Sequence, residues 1–328
     1  MKIYAVTEDS KPFVSLSTGK AFSNLSSYYD CEVQVKDFNY WRNREIDSDS
    51  GNDVVVIFES VYLELAGMST RDLREYYPNA KFVAMGSDTI YYLVTNKNNG
   101  YQFDSPFEVD LFLEKMEDCI DQYRARGINV DHWMWTASDW LLDYVQKFDE
   151  GKKFEEKEND FIGLYAPHTI QRPNSYRNKM VNFLASKGKK FTQGGGSGHD
   201  DPDVDKIFQQ YANSKFTLGT TSHDNPLFHG MKGFRDWIGP HMGSMLIYDD
   251  YPDIRKHFQG GELVPLYEYG VFEGILAIHD HYSQNTNQYY EVIEHQKAWA
   301  LDNTIEKQLV KLFTKHGIID ESFISQPS

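Results

Sequence analysis

The chain has 328 residues, enough for two domains of ordinary size that each bury a core. Its 33 Lys and Arg stand against 49 Asp and Glu, and the net charge of −16 favours solubility and repels polyanions over most of the surface. Two cysteines, Cys31 and Cys119, exclude a disulfide framework and a paired-cysteine zinc finger, and no apolar run reaches the roughly 18 residues that cross a bilayer.

In chain order, Lys2–Val6 reads as a strand, Gly19–Tyr29 as a helix, and Glu32–Phe38 and Asp53–Phe58 as strands, the last nearly continuous in Val and Ile. Leu65–Tyr76 follows as a helix and Lys81–Met85 as a strand. Pro106–Met116 is a further element, Asp118–Arg126 a helix, Trp133–Thr136 a strand and Ser138–Phe148 a helix. This alternation predicts a parallel sheet with helices on both faces. Asp149–Asp160 is a charged run without an apolar period, a linker or an exposed helix end.

The pattern then restarts. Phe161–Tyr165, Lys190–Thr192, Phe216–Leu218, Ser244–Tyr248 and Glu262–Leu266 read as strands, and Ser175–Lys187 and Val204–Tyr211 as helices between them. Helices Val271–His281, Asn287–Trp299 and Thr304–His316 close the chain. The expected fold is α/β, with two Rossmann-like domains, 1–155 and 156–328, facing each other across a cleft. A cytoplasmic protein is expected, because the strand-like start followed by Glu8 and Asp9 is unlike a secretory signal. A solute-binding protein of similar build normally carries such a signal.

The run from Lys232 to Asp250 holds the densest chemistry. Pro226 and Gly230 break the preceding segment, so a helix is expected to start near Gly230, where free N–H groups and the positive end of its dipole attract phosphate. Lys232 and Arg235 are three residues apart and share a helical face. Gly243 ends the helix, and Ser244–Tyr248 leads to Asp249 and Asp250 at a strand's carboxyl end, where open α/β sheets bind ligands. An ordinary helix and strand with a solvated acidic turn reads equally from these residues alone.

This run resembles the C-terminal half of GT-B glycosyltransferases, in which a helix, a small-residue turn and a strand grip a donor nucleotide and its diphosphate. Many retaining members place a ribose-binding Glu five residues before the turn glycine; here Ile238 stands there, which leaves Asp236, Asp249 and Asp250 as ribose candidates. The resemblance implies a UDP-sugar donor held by Lys232 and Arg235, with no catalytic metal. The Asn-, Tyr- and Asp-rich, alanine-poor composition has a viral character. A hydroxymethylated base in phage DNA is one acceptor the resemblance implies, and a saccharide or lipid-linked hydroxyl another; a non-catalytic nucleotide-binding protein is the alternative.

Other candidates lie at predicted strand ends. Asp88 follows the Lys81–Met85 strand and Glu59 the Asp53–Phe58 strand, positions suited to a general base or a sugar-orienting acid; Asp88 equally suits a Gly-Ser-Asp turn that caps a helix. His168 and Arg172 follow Phe161–Tyr165. Gly194 and Gly195 open a glycine-rich run that admits close backbone approach or serves as a flexible loop. Ser222 and His223 follow Phe216–Leu218. Ser15–Lys20 lacks the first glycine of a P-loop, and no G-x-G-x-x-G follows Val6. The acids of Asp200–Asp205 read as an N-cap, and His279 and His281, two apart on a helix, do not share a face.

Overall fold

The computed structural model describes residues 1–7, 14–59, 66–86, 108–115, 117–125, 127–134, 136–163, 175–193, 204–220, 234–250 and 263–325. The chain packs as two compact units: Met1–Met134 with Ile305–Ser328, and Trp135–Thr304. The sequence reading divides the chain at residue 155 and leaves the last helix with the second half.

Unit 1 is built on a six-stranded parallel sheet of β1 (Lys2–Thr7), β2 (Glu32–Asp37), β3 (Val54–Glu59), β4 (Lys81–Met85), β5 (Leu111–Glu114) and β6 (Val130–His132), in the order β2-β1-β3-β4-β5-β6. Burial matches this order at the β2 edge. Val54 to Phe58 are all buried, as a strand covered on both faces requires, whereas no residue of β2 at the sheet edge is buried. Helices α1 (Val14–Asn24), α2 (Phe38–Arg42), α3 (Thr70–Tyr76) and α4 (Glu117–Arg124) connect the strands. Ser69 starts α3 with a capping box, its hydroxyl accepting from the Asp72 N–H while Asp72 accepts from the Ser69 N–H.

The last helix, Ile305–Lys315, also belongs to unit 1. Gln308 pairs with both backbone groups of Met134, accepting from its N–H at 2.8 Å and donating to its carbonyl at 2.9 Å. Lys315 and His316 converge on the buried Asp131 carboxylate at 2.6 and 2.8 Å. An amphipathic helix declares that it has a buried face but not which sheet it covers, so its partner was not legible.

Unit 2 carries a five-stranded parallel sheet of β7 (Asn159–Gly163), β8 (Phe191–Gln193), β9 (Ser214–Gly219), β10 (Met245–Asp250) and β11 (Leu266–Glu268), in the order β11-β10-β9-β7-β8. Its helices are α5 (Asp139–Gln146), α6 (Tyr176–Ser186), α7 (Val204–Ala212), α8 (Phe234–His241), α9 (Glu273–Gln284) and α10 (Thr286–Asp302); the unit 1 helix Ile305–Lys315 is α11. The charged run at 149–160 exposes Glu150, Gly151, Lys153, Glu155, Glu156 and Glu158 but is anchored at two points: Phe154 is buried against Phe216 and Tyr289, and the buried Lys157 ammonium donates to the Ala212 carbonyl at 2.7 Å. Helix α8 ends as expected. Gly243 takes φ +75°, its N–H bonding the Pro240 carbonyl while the Ser244 N–H bonds that of Gly239.

Asp160 shows how one ion cluster ties unit 2 together. Its carboxylate accepts from Lys215 Nζ and the Lys190 N–H, both at 2.9 Å, and lies 3.2 Å from His279 Nε2 on α9. Burial pushes the Asp160 carboxyl up, but the hydrogen bonds from His279, Lys215 and Lys190 outweigh it and hold the group far below the usual carboxylate range. A depressed folded-state pKa stabilises above the unfolded value near 3.8 and is lost as pH falls toward the folded one. Asp160→Asn is expected to lower stability at pH 7 by about 2–3 kcal/mol. In urea titrations between pH 3 and 7 the variant should also lose part of the acid dependence of the wild type; identical pH profiles would remove Asp160 from this role.

Candidate functional site

The described part of the site in unit 2 lies at the carboxyl ends of its strands, the edge where the chain leaves each strand for the next helix. β10 ends in Asp249, which is fully buried, and Asp250, which is half-buried; they pair in register with Tyr267 and Glu268. Tyr176, the first residue of α6, lies near Asp249, and its phenol is driven upward in pKa by burial and then by the Asp249 charge. The Tyr176 oxygen accepts from the Gly270 N–H at 3.4 Å, and its ring stacks flat on Tyr269, 4.4 Å between centroids and 4° between planes.

The amino end of α6 stands at the same edge. Ser175 caps it, accepting from the Asn178 N–H at 3.1 Å. Arg177, in the first turn, places its Nε 3.5 Å from the hydroxyl of Thr220, the residue just beyond β9. A helix amino end with an arginine beside strand termini is an arrangement that attracts phosphate. Arg177 and Tyr176 carry no signal in sequence, whereas Thr220 opens the Thr220–Asp224 run of hydroxyls and an imidazole that also holds Ser222 and His223. Ser175 is a recognisable cap in sequence, but the meeting of Arg177 with Thr220 joins residues 43 apart.

Unit 1 presents acids at the equivalent edge. Glu59 ends β3, half-buried. Glu114, also missed in sequence, ends β5 with 2% exposure, and its Oε2 lies 3.3 Å from where a Cβ on Gly86 would stand. His132 pairs in register with Glu114, and its Nε2 lies 3.2 Å from the Lys115 carbonyl oxygen. The edge thus offers carboxylates on β3 and β5, two strands that flank β4.

Arg235 and Asp236 fall in the first turn of α8, where the backbone is described and the side chains are not; Ile238, in place of a ribose-binding acid, is fully buried. Asp88, His168, Arg172, Gly194, Gly195, Ser222, His223 and Lys232 lie outside the described residues, as does the expected helix start near Gly230. Among the described residues no three His, Cys, Asp or Glu side chains meet in a geometry that holds a metal ion, and no helix is long and apolar enough to cross a membrane.

No known family's sequence pattern matches the chain, and no curated protein matches it in sequence. Solved structures do. HepE of Anabaena, in complex with UDP and glucose, superposes with a TM-score of 0.55 at 11% identity over 96% of this chain and 100% of that one. Sucrose-phosphate synthase of Thermosynechococcus elongatus gives 0.58 at 8% identity over 96% and 98%. A trehalose-6-phosphate synthase studied with bisubstrate glycomimetics gives 0.54 at 8% over 98% and 100%.

The fold is GT-B. Near-complete coverage of both chains means that the likeness extends over both units rather than over one Rossmann-like half. Parallel pairing within each sheet requires a crossover between strands, which accounts for the alternation of strands and helices seen in sequence.

Proposed function

We propose that this protein is a glycosyltransferase that moves a sugar from a UDP-sugar to an acceptor hydroxyl. The observation that carries the reading is the full-length likeness to HepE, a protein solved with UDP-glucose, UDP and glucose. In this reading the amino end of α8, with Lys232 and Arg235, neutralises the diphosphate as the glycosidic bond breaks, and Arg177 adds positive charge at the neighbouring strand end. Asp236, Asp249 or Asp250 receives the ribose, while His168, Arg172, Gly194, Gly195, Ser222 and His223 line the loops around the donor. Asp88 or Glu59 takes the acceptor proton or orients the transferred sugar. The acceptor in this reading is a saccharide or lipid-linked hydroxyl or a hydroxymethylated base in phage DNA, and the net charge of −16 opposes the polyanionic DNA.

A thermal-shift screen of UDP-, GDP-, CDP- and ADP-sugars tests the donor. A UDP-sugar at a hundred times its Kd is expected to stabilise the fold by about 2.7 kcal/mol. The double variant Lys232→Ala, Arg235→Ala should weaken UDP binding about 100-fold, because two charge-assisted contacts to phosphate are lost. Glu59→Gln and Asp88→Asn should lower kcat without raising the donor KM. Product masses from modified duplex DNA and from a saccharide panel then assign the acceptor. No response to any nucleotide sugar at millimolar concentration rules the transferase reading out.

A further inference from the structure

The outer side of α10 carries two of the four large hydrophobic side chains that stand out into solvent among the described residues: Tyr290, 39% exposed, and Leu301, 41%. Eleven residues are three helical turns plus about 20°, so the two lie in one row, about 16 Å apart along the axis. Glu294 and Ala298 stand between them, both exposed. The inner side of the helix is core: Tyr289, Ile293, Gln296 and Ala300 are buried. α10 thus packs on its sheet by one face and turns a second, partly apolar row outward. A hollow of about 450 Å3 borders this row at Tyr290 and His295, and another of about 360 Å3 borders it at Leu301, between α10 and α5.

Tyr290 is set up as an anchor. Its hydroxyl accepts from the Phe154 N–H at 2.8 Å, and its ring stands edge-on to the buried Tyr289, 5.2 Å between centroids. A ring already held in place loses little freedom when a partner covers it, which is how aromatic anchors contribute affinity. The charges between the two anchors decide who that partner is. Glu294 and Lys297 carry opposite signs and lie 3.0 Å apart. A uniformly basic or acidic partner meets one attraction and one repulsion there. A second copy of the same helix, run antiparallel about a two-fold axis between residues 295 and 296, sets Lys297 against Glu294 and Glu294 against Lys297. The same register sets Leu301 of one copy against Tyr290 of the other, so that each anchor enters the hollow beside its counterpart. Ala298, close to the axis, has no bulk to hold the two backbones apart.

We propose that α10 is the contact helix of a symmetric dimer, in which two copies of the chain pair it antiparallel through Tyr290, Leu301 and ion pairs of Glu294 with Lys297 exchanged between copies. An interface centred on one 17-residue helix belongs to the small class that buries less than about 1,200 Å2, so the dimer forms reversibly with a Kd on the order of 10 µM. The contact is independent of the transferase reading, since it needs no donor and holds whether or not UDP binds.

Sedimentation velocity on the whole protein, from about 2 to about 200 µM, tests this. Wild type is expected to pass from monomer to dimer over that range. Leu301→Glu and Tyr290→Glu should each stay monomeric, with Kd raised at least about 20-fold, because each sets a carboxylate against an apolar side chain. Mixing then separates pairing between copies from the pair within one chain. Glu294→Lys sets lysine against lysine across the axis, and Lys297→Glu sets glutamate against glutamate, so neither variant should self-associate. Their equimolar mixture should nevertheless form a heterodimer, with Kd within about threefold of wild type. If Lys297→Glu does not fold, the substitutions at Tyr290 and Leu301 still decide the surface. A wild-type chain that remains monomeric at about 200 µM overturns the proposal. So does a dimer that Tyr290→Glu and Leu301→Glu leave intact, or a mixture of the two folded charge variants that stays monomeric.

Discussion

Gln296→Leu is expected to lose about 3 kcal/mol of stability, and Gln296→Ala about 4. Gln296 sits in the middle of α10 and has no solvent exposure. Its Oε1 accepts from the Leu246 N–H at 2.9 Å, and its Nε2 donates to the carbonyls of Leu246 at 2.8 Å and Leu263 at 3.1 Å. β11 begins to pair with β10 only at Tyr248, so the backbone of Leu246 lacks a strand neighbour on that side and the amide takes its place. Removing the amide leaves three buried backbone groups unpaired, whereas leucine restores most of the volume. The difference between the two variants therefore separates hydrogen bonding from packing. Urea unfolding followed by tryptophan fluorescence is suited to this, because Trp237 on α8 and Trp299 on α10 stack 4.1 Å apart in the same unit. A Gln296→Leu protein within 1 kcal/mol of wild type, roughly the worth of one ordinary hydrogen bond, would mean that the strand edge is satisfied by other means.

The strands were the most legible elements. Lys81–Met85 is read in sequence with the boundaries it has in the fold, and Val54–Phe58 announces a central strand because five consecutive buried positions leave no room for a polar residue. Misplacements have local causes. β6 occupies Val130–His132 rather than Trp133–Thr136, because Asp131 breaks the apolar run in sequence while in space its charge is met by Lys315 and His316. β11 lies at Leu266–Glu268 rather than Glu262–Leu266, and its edge position tolerates the exposed Glu268. The Asp149–Asp160 run hid Phe154 and Lys157 because two buried side chains among charges make no periodic signal.

The site was legible only as a place. Asp249 and Asp250 were picked out because a strand followed by acids has a recognisable pattern, and the fold puts them at the end of β10. Nothing in that pattern distinguishes the fully buried Asp249 from its half-buried neighbour; their burial is set by β11 and by Tyr176, which come from remote parts of the chain. Arg177 and Glu114 had no local signature at all. Arginine in a helix's first turn runs against the dipole and looks incidental until Thr220 is brought beside it. Gln296 likewise resembles any solvent-facing glutamine until the bare edge of β10 supplies its partners.

Gly219→Ala is expected to destabilise unit 2 by about 3 kcal/mol, toward the upper end of what one added methyl does in a packed core. Gly219 ends β9 and pairs in register with Tyr248 of β10, whose ring folds over the glycine: a Cβ there would stand 2.1 Å from both Cδ2 and Cε2. Tyr248 is fully buried and its hydroxyl reaches toward the Thr220 carbonyl at 3.5 Å, so the ring has no open rotamer to retreat into. The strain falls at the carboxyl edge, between Thr220 and Asp249, and is expected to weaken UDP binding as well as stability if the donor sits there. A double-mutant cycle isolates the clash. Tyr248→Ala alone should lose about 3–4 kcal/mol by leaving a cavity, but in that background Gly219→Ala should add less than about 1, because the ring it strikes is gone. Strict additivity of the two changes would show that the glycine is needed for its backbone freedom, and that the tyrosine ring does not dictate it.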